Sequence, residues 1–231
     1  MMAIMAVMTI AANAQDEVEA TVSADFVSRY IWRGQSMDKA AVQPTVGISY
    51  KGLSLSAWGS YGIQSDAQLS ELDLTLAYTS GGLNVGITDF WNDAANSRYF
   101  LYDSHKTGHT FEANVGYDFG ALSVQWYTIF AGFDGLTEQG KRAYTSYFEI
   151  AAPFTLGGLD WKATLGAVPY TANGGYYADV NSRGFAVTNV SLMASKDLKI
   201  TDSFTLPVFA AINTNPSVQK AAFVFGFTVK P

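Results

Sequence analysis

Apolar side chains recur in this chain with period two, segment after segment. In residues 20–34 one phase holds Ala20, Val22, Ala24, Phe26, Ser28, Tyr30 and Trp32. The other holds Thr21, Ser23, Asp25, Val27, Arg29, Ile31 and Arg33. Successive side chains of a strand point to opposite faces, so the segment reads as a strand, greasy on one side and charged on the other. The pattern returns at Val42, Pro44, Val46, Ile48 and Tyr50, at Leu72, Leu74, Leu76 and Tyr78, and at Ala221, Phe223, Phe225, Phe227 and Val229. Alternation sustained this far excludes a helical fold and leaves an all-β one.

The chain has 231 residues, room for one large β domain. Aromatic residues make up 14% and charged residues only 15%, a balance that favours strands and tight turns. A net charge of −6 argues against nucleic acid, whose phosphates need a basic surface. With no cysteine, disulfides and thiolate metal sites are out. Residues 1–14 read as a secretory signal, with the small-x-small cleavage pattern Ala12-Asn13-Ala14 and a mature chain from about Gln15. The basic start of such a signal is missing, so the true signal is expected to begin upstream. Residues 15–231 then form one domain. No apolar run is long enough for a membrane-crossing helix.

About twelve alternating segments can be drawn, joined by connections of two kinds. Lys51-Gly52, Ser80-Gly81-Gly82, Gly120-Ala121 and Gly157-Gly158 mark tight turns. Between them lie longer polar stretches at 64–70, 92–108, 134–142 and 171–183. One segment, 184–195, slips phase, and a bulge near Thr188-Asn189 would restore it. Short turns at one end and long loops at the other are the pattern of an outer-membrane barrel, with short periplasmic turns and longer external loops. The expected fold is therefore a closed antiparallel transmembrane β-barrel in the cell outer membrane, both termini periplasmic. Its greasy faces meet lipid and its polar faces line a lumen. Two residues sit awkwardly in this register: Pro207 lies within a strand, and Asp89 lands on the lipid face.

Ser28-Arg29-Tyr30-Ile31-Trp32-Arg33-Gly34, followed by Gln43-Pro44, Gly47 and Ala57-Trp58-Gly59-Ser60, resembles the opening of the TorF-family porins. The likeness covers about the first 60 mature residues and otherwise rests on strand spacing. It implies an outer-membrane barrel with a channel role.

The polar phases supply the candidate pore-lining residues: Asp25, Arg29, Arg33, Glu71, Asp73, Glu112, Tyr127, Glu149 and Lys162. On one strand face, residues four apart lie roughly 13 Å apart, so Asp25, Arg29 and Arg33 need partners on other strands. The last strand offers Lys220 and Thr228. Acids and bases mix, which points to no strong ion selectivity. Two readings of these residues stand: a charged constriction that sets which small polar solutes pass, or a salt-bridged plug that stabilises a closed structural barrel within an envelope complex or homo-oligomer. A third reading, an outer-membrane phospholipase-type enzyme, would draw on Ser104 with His105 or His109. The same histidines lack a third metal ligand, and no catalytic, cofactor or metal site is expected. Tyr99, Tyr102, Tyr170, Tyr176 and Tyr177 in or beside loops suit either sugar stacking or anchoring at the membrane interface.

Overall fold

Each alternating segment is hydrogen-bonded to its neighbour in sequence, and the last strand returns to the first. The computed structural model describes residues 17–63, 70–93, 98–103, 106–170 and 184–231. The strands are β1 (Glu19–Val27), β2 (Tyr30–Trp32), β3 (Gln35–Asp38), β4 (Ala41–Tyr50), β5 (Leu53–Gly62), β6 (Ser70–Ser80) and β7 (Leu83–Asn92). They continue as β8 (His109–Asp118), β9 (Ser123–Gly132), β10 (Ser146–Leu156), β11 (Leu159–Val168), β12 (Ala186–Lys199), β13 (Thr205–Asn215) and β14 (Lys220–Val229). All except β2 and β3 form one closed antiparallel barrel of twelve strands. Closure pairs Asp25 with Thr228 and Phe26 with Phe227.

The closed wall leaves no free edge, which is how a sheet satisfies its backbone without water. Its outer face is apolar: Val46, Ile48, Leu55, Leu76, Ile87, Leu165, Ile212 and Phe225 are all exposed. Their neighbours on each strand, among them Gln43, Ser60, Asp73, Thr88, Glu112, Thr164, Ser191 and Asn213, are buried inside. This inverts the arrangement of a water-soluble protein. Strands of about ten residues match the length that crosses a bilayer at a tilt. Among the described residues no helix is long and apolar enough to cross a membrane, a statement that does not touch strands.

Three of the tight turns, at Lys51-Gly52, Gly81-Gly82 and Gly157-Gly158, have both central residues at positive φ. That geometry matches the twist of the flanking strands. The bulge expected near Thr188-Asn189 falls at Thr188, where the β11–β12 ladder passes from Gly166–Asn189 to Ala167–Val187. A second register shift lies between Phe111 and Glu112 against β9. Beyond Ser195, β12 runs on to Lys199, paired there only with β13. Pro207 of β13 pairs with Asp197 in this extension and precedes the β13–β14 ladder, which begins at Val208, so on that side it stands at a sheet edge, where proline is tolerated. Pro44 sits inside β4, and the β4–β5 ladder lapses at Gln43 and Pro44 without changing register.

The first strand departs from expectation. It ends at Val27, and Tyr30 and Trp32 do not continue it toward lipid. They belong to a separate hairpin, β2–β3, folded back into the barrel from the end with the long loops. Tyr30, Ile31, Trp32 and Arg33 are each less than a tenth exposed.

Candidate functional site: the lumen and its hairpin

The hairpin turns through Arg33 (φ 48°) and Gly34 (φ 82°), again a two-residue turn with both residues left-handed. Glycine adopts this region freely, whereas at arginine it costs about 1 kcal/mol or more. The turn holds the tip against β12: a Cβ on Gly34 would lie 1.8 Å from the Thr188 carbonyl oxygen at the bulge. Only glycine fits there.

On the way across, the hairpin meets most of the wall. Tyr30 packs on Trp58 of β5, ring centroids 5.6 Å apart, and Trp32 meets Phe90 of β7 edge-on at 6.1 Å. Tyr147, Val168 and Ala186 complete this cluster, and a second one joins Ile31 to Ala41, Phe209 and Val224. Twelve strands spaced about 4.8 Å and tilted about 40° enclose a lumen of about 12 Å backbone radius. Inward side chains narrow it further, so a two-stranded hairpin carrying Tyr30, Ile31 and Trp32 fills much of the section.

Arg33 ends the crossing. Its Nη1 and Nη2 donate to Glu112 Oε2 and Oε1 at 2.6 and 2.8 Å, a bidentate pair with both residues buried. The guanidinium carbon lies 4.0 Å from the Tyr127 ring centroid and 4.6 Å from those of Trp32 and Tyr147. Tyr127 and Tyr147 are directly paired across β9 and β10. Tyr147 lies flat along the wall because β11 offers it Gly166, where a Cβ would fall 1.8 Å from the phenol oxygen. That phenol donates to Glu149 Oε2 at 2.8 Å and accepts from Asn189 Nδ2 at 3.3 Å.

The other sequence-selected residues spread around the inner wall. Asp25 accepts from Thr228 Oγ1 at 2.5 Å. Lys220, the other partner offered by the last strand, is exposed at the start of β14. Glu71 and Asp73 are buried on the inner face of β6, and Lys162 is half-buried on β11. Arg29 stands past the end of β1, exposed, donating to Ser36 Oγ at 3.2 Å. Among the described residues, the lumen and its hairpin side thus carry both signs: the carboxyl groups of Asp25, Asp38, Glu71, Asp73, Glu112 and Glu149, and the cations Arg29, Arg33 and Lys162. Several buried polar atoms have no partner among the described residues, including both carboxylate oxygens of Asp73, Glu71 Oε2, Thr188 Oγ1, Ser191 Oγ and Asn213 Oδ1.

Toward the short-turn end the inner side chains become small and polar: Ser49, Ser54, Ser56, Thr75, Thr79, Asn84 and Asn114, all half-buried. Asn114 donates to Asn84 Oδ1 at 2.7 Å, and Thr75 and Thr88 share a hydrogen bond of 3.0 Å. The hairpin lies in the other half of the lumen, toward the long loops.

On the outer face, Asp89 is not a stranded charge. His109 Nδ1 lies 2.8 Å from its Oδ1, and His109 Nε2 lies 2.5 Å from the Tyr99 carbonyl. Tyr102 stacks over the imidazole at 4.3 Å, so the segment around Tyr99 is laid against the wall. Both ring nitrogens of His109 are engaged in these contacts. Ser104, His105, Tyr176 and Tyr177 lie outside the described residues. Among the described residues no group of three His, Asp or Glu side chains is placed to hold a metal ion.

No family model and no curated protein matches the chain. Among solved structures, it is similar to a NanC porin structure in a rhombohedral crystal form, with 11% identity, 90% of this chain and 98% of that chain covered, and a TM-score of 0.44. It is also similar to Salmonella typhi OmpF in complex with daunomycin, with 10% identity, 93% and 97% covered, and a TM-score of 0.39. The barrel assignment itself rests on this chain's own strand pairing.

Proposed function

We propose that this chain is an outer-membrane barrel of the TorF-porin kind that passes small polar solutes, with the β2–β3 hairpin as its constriction. The observation that carries the reading is the inversion of polarity across one closed wall. The outer face has only lipid as a compatible neighbour. The inner face carries buried polar atoms without partners among the described residues, and such atoms call for water. A wall greasy outside and wet inside is what a diffusion channel needs. The termini, on the short-turn side, are periplasmic in this reading, and residues 1–14 direct export.

Purified barrel in planar bilayers should give discrete conductance steps, small in the wild type because the hairpin fills half the lumen. The filled half favours a second reading, a closed barrel serving an envelope complex. A barrel that stays ion-tight even after residues 28–40 are replaced by a short turn would end the channel reading. Co-purification of a stoichiometric partner with such a silent barrel would establish the second.

A further inference from the structure

The Arg33 site has the chemistry of a receptor for a cation, with the receptor on the wall and its occupant on the plug. The wall supplies Glu112 from β8, Tyr127 from β9 and Tyr147 from β10, three adjacent strands. Together they give one guanidinium two charge-assisted hydrogen bonds and two ring faces. Tyr147 has wall partners of its own, Glu149, Asn189 and the space over Gly166, besides its contacts with the hairpin. Arg33 itself reaches the site from a left-handed turn residue, at a cost the contact must offset. Two further carboxyl groups, Glu71 and Asp73, are buried on the inner face of β6. A soluble cation of the same shape would find the same partners.

We propose that Glu112, Tyr127 and Tyr147 form a binding site for small organic cations of the guanidinium class, and that Arg33 occupies it as a tethered competitor. A guanidinium solute entering the lumen displaces Arg33 and with it the hairpin tip, so the solute loosens the constriction it must pass. The binding claim stands on this geometry alone; the loosening rests on the channel reading above.

The test uses the full chain in detergent micelles, titrated calorimetrically with methylguanidinium chloride, with urea as the neutral analogue of the same shape. Arg33→Ala removes the tethered competitor and should bind one methylguanidinium per barrel, about tenfold tighter than the wild type. Adding Glu112→Gln to Arg33→Ala should weaken that binding about tenfold, and urea should not bind. Arg33→Gln repeats the comparison with chain length kept, should Arg33→Ala fail to fold. Equal binding by wild type and Arg33 variants, or binding indifferent to Glu112, overturns the site. In bilayers, wild-type conductance should rise with methylguanidinium and not with sodium at equal ionic strength. A folded variant that binds while its barrel stays silent keeps the site and removes the channel reading. A conducting barrel that does not bind does the reverse.

Discussion

Replacing Gly34 by alanine tests the hairpin with one methyl group. The added Cβ would lie 1.8 Å from the Thr188 carbonyl oxygen, where an ordinary contact is about 3.4 Å, so the tip must retreat by about 1.5 Å. Alanine also carries a penalty of about 1 kcal/mol in the left-handed conformation that Gly34 holds. The Arg33–Glu112 hydrogen bonds, at 2.6 and 2.8 Å, stretch past useful length if the guanidinium moves with the tip, and each is worth about 1.5–3 kcal/mol. Losing one of them together with the backbone penalty gives about 3 kcal/mol against the docked hairpin, a shift of about a hundredfold. In single-channel recordings Gly34→Ala should spend far more time in a larger open state than the wild type. Gly120→Ala is the control: its φ of +86° carries the same backbone penalty, but nothing lies within 4 Å of the new methyl. Identical records from Gly34→Ala, Gly120→Ala and the wild type would refute the docked hairpin as the constriction.

Other outcomes follow from the wall. Phe225→Arg puts a charge on the outer face in the middle of β14 and should cost about 2–4 kcal/mol in urea unfolding from lipid vesicles, whereas a substitution at inward-facing Thr228 should cost far less. His109→Ala leaves Asp89 and the Tyr99 carbonyl without their shared partner and should cost about 1–3 kcal/mol in the same assay, with faster proteolysis around Tyr99. Phe209→Ala removes a buried ring from the hairpin's second apolar cluster and should lower stability by about 3–5 kcal/mol while leaving strand content unchanged by circular dichroism.

The barrel was legible in the sequence because its wall has the simplest rule a strand can follow, alternate side chains to lipid and lumen. Phe26, Leu74 and Phe225 obey it, and the slip at Thr188 was readable as a break in the same rule. The hairpin was not legible, because Tyr30 and Trp32 keep the phase of Phe26 whether the strand runs on or folds inward. The signals that could have revealed it are apolar Ile31 on the supposedly polar side, which spoils the alternation, and Gly34 right after Arg33. A segment buried on both faces loses its period. The Arg33–Glu112 pair was beyond reach for another reason: its members are 79 residues apart, and only closure of the barrel brings β8 under the tip. The same holds for Asp89, which sits on the lipid side by phase and is hydrogen-bonded by a histidine on the next strand.

The chain contains no cysteine, so single cysteines can report the orientation of each wall residue without background. The most direct measurement is labelling by a water-soluble, membrane-impermeant thiol reagent in lipid vesicles, with cysteines placed in turn at Thr45, Val46, Thr75, Leu76, Asn114, Val115 and Phe225. Cysteines at Thr45, Thr75 and Asn114 should label through the aqueous lumen, while those at Val46, Leu76, Val115 and Phe225 should stay protected by lipid. Labelling of the second group with protection of the first, or no alternation at all, would contradict this orientation of the wall.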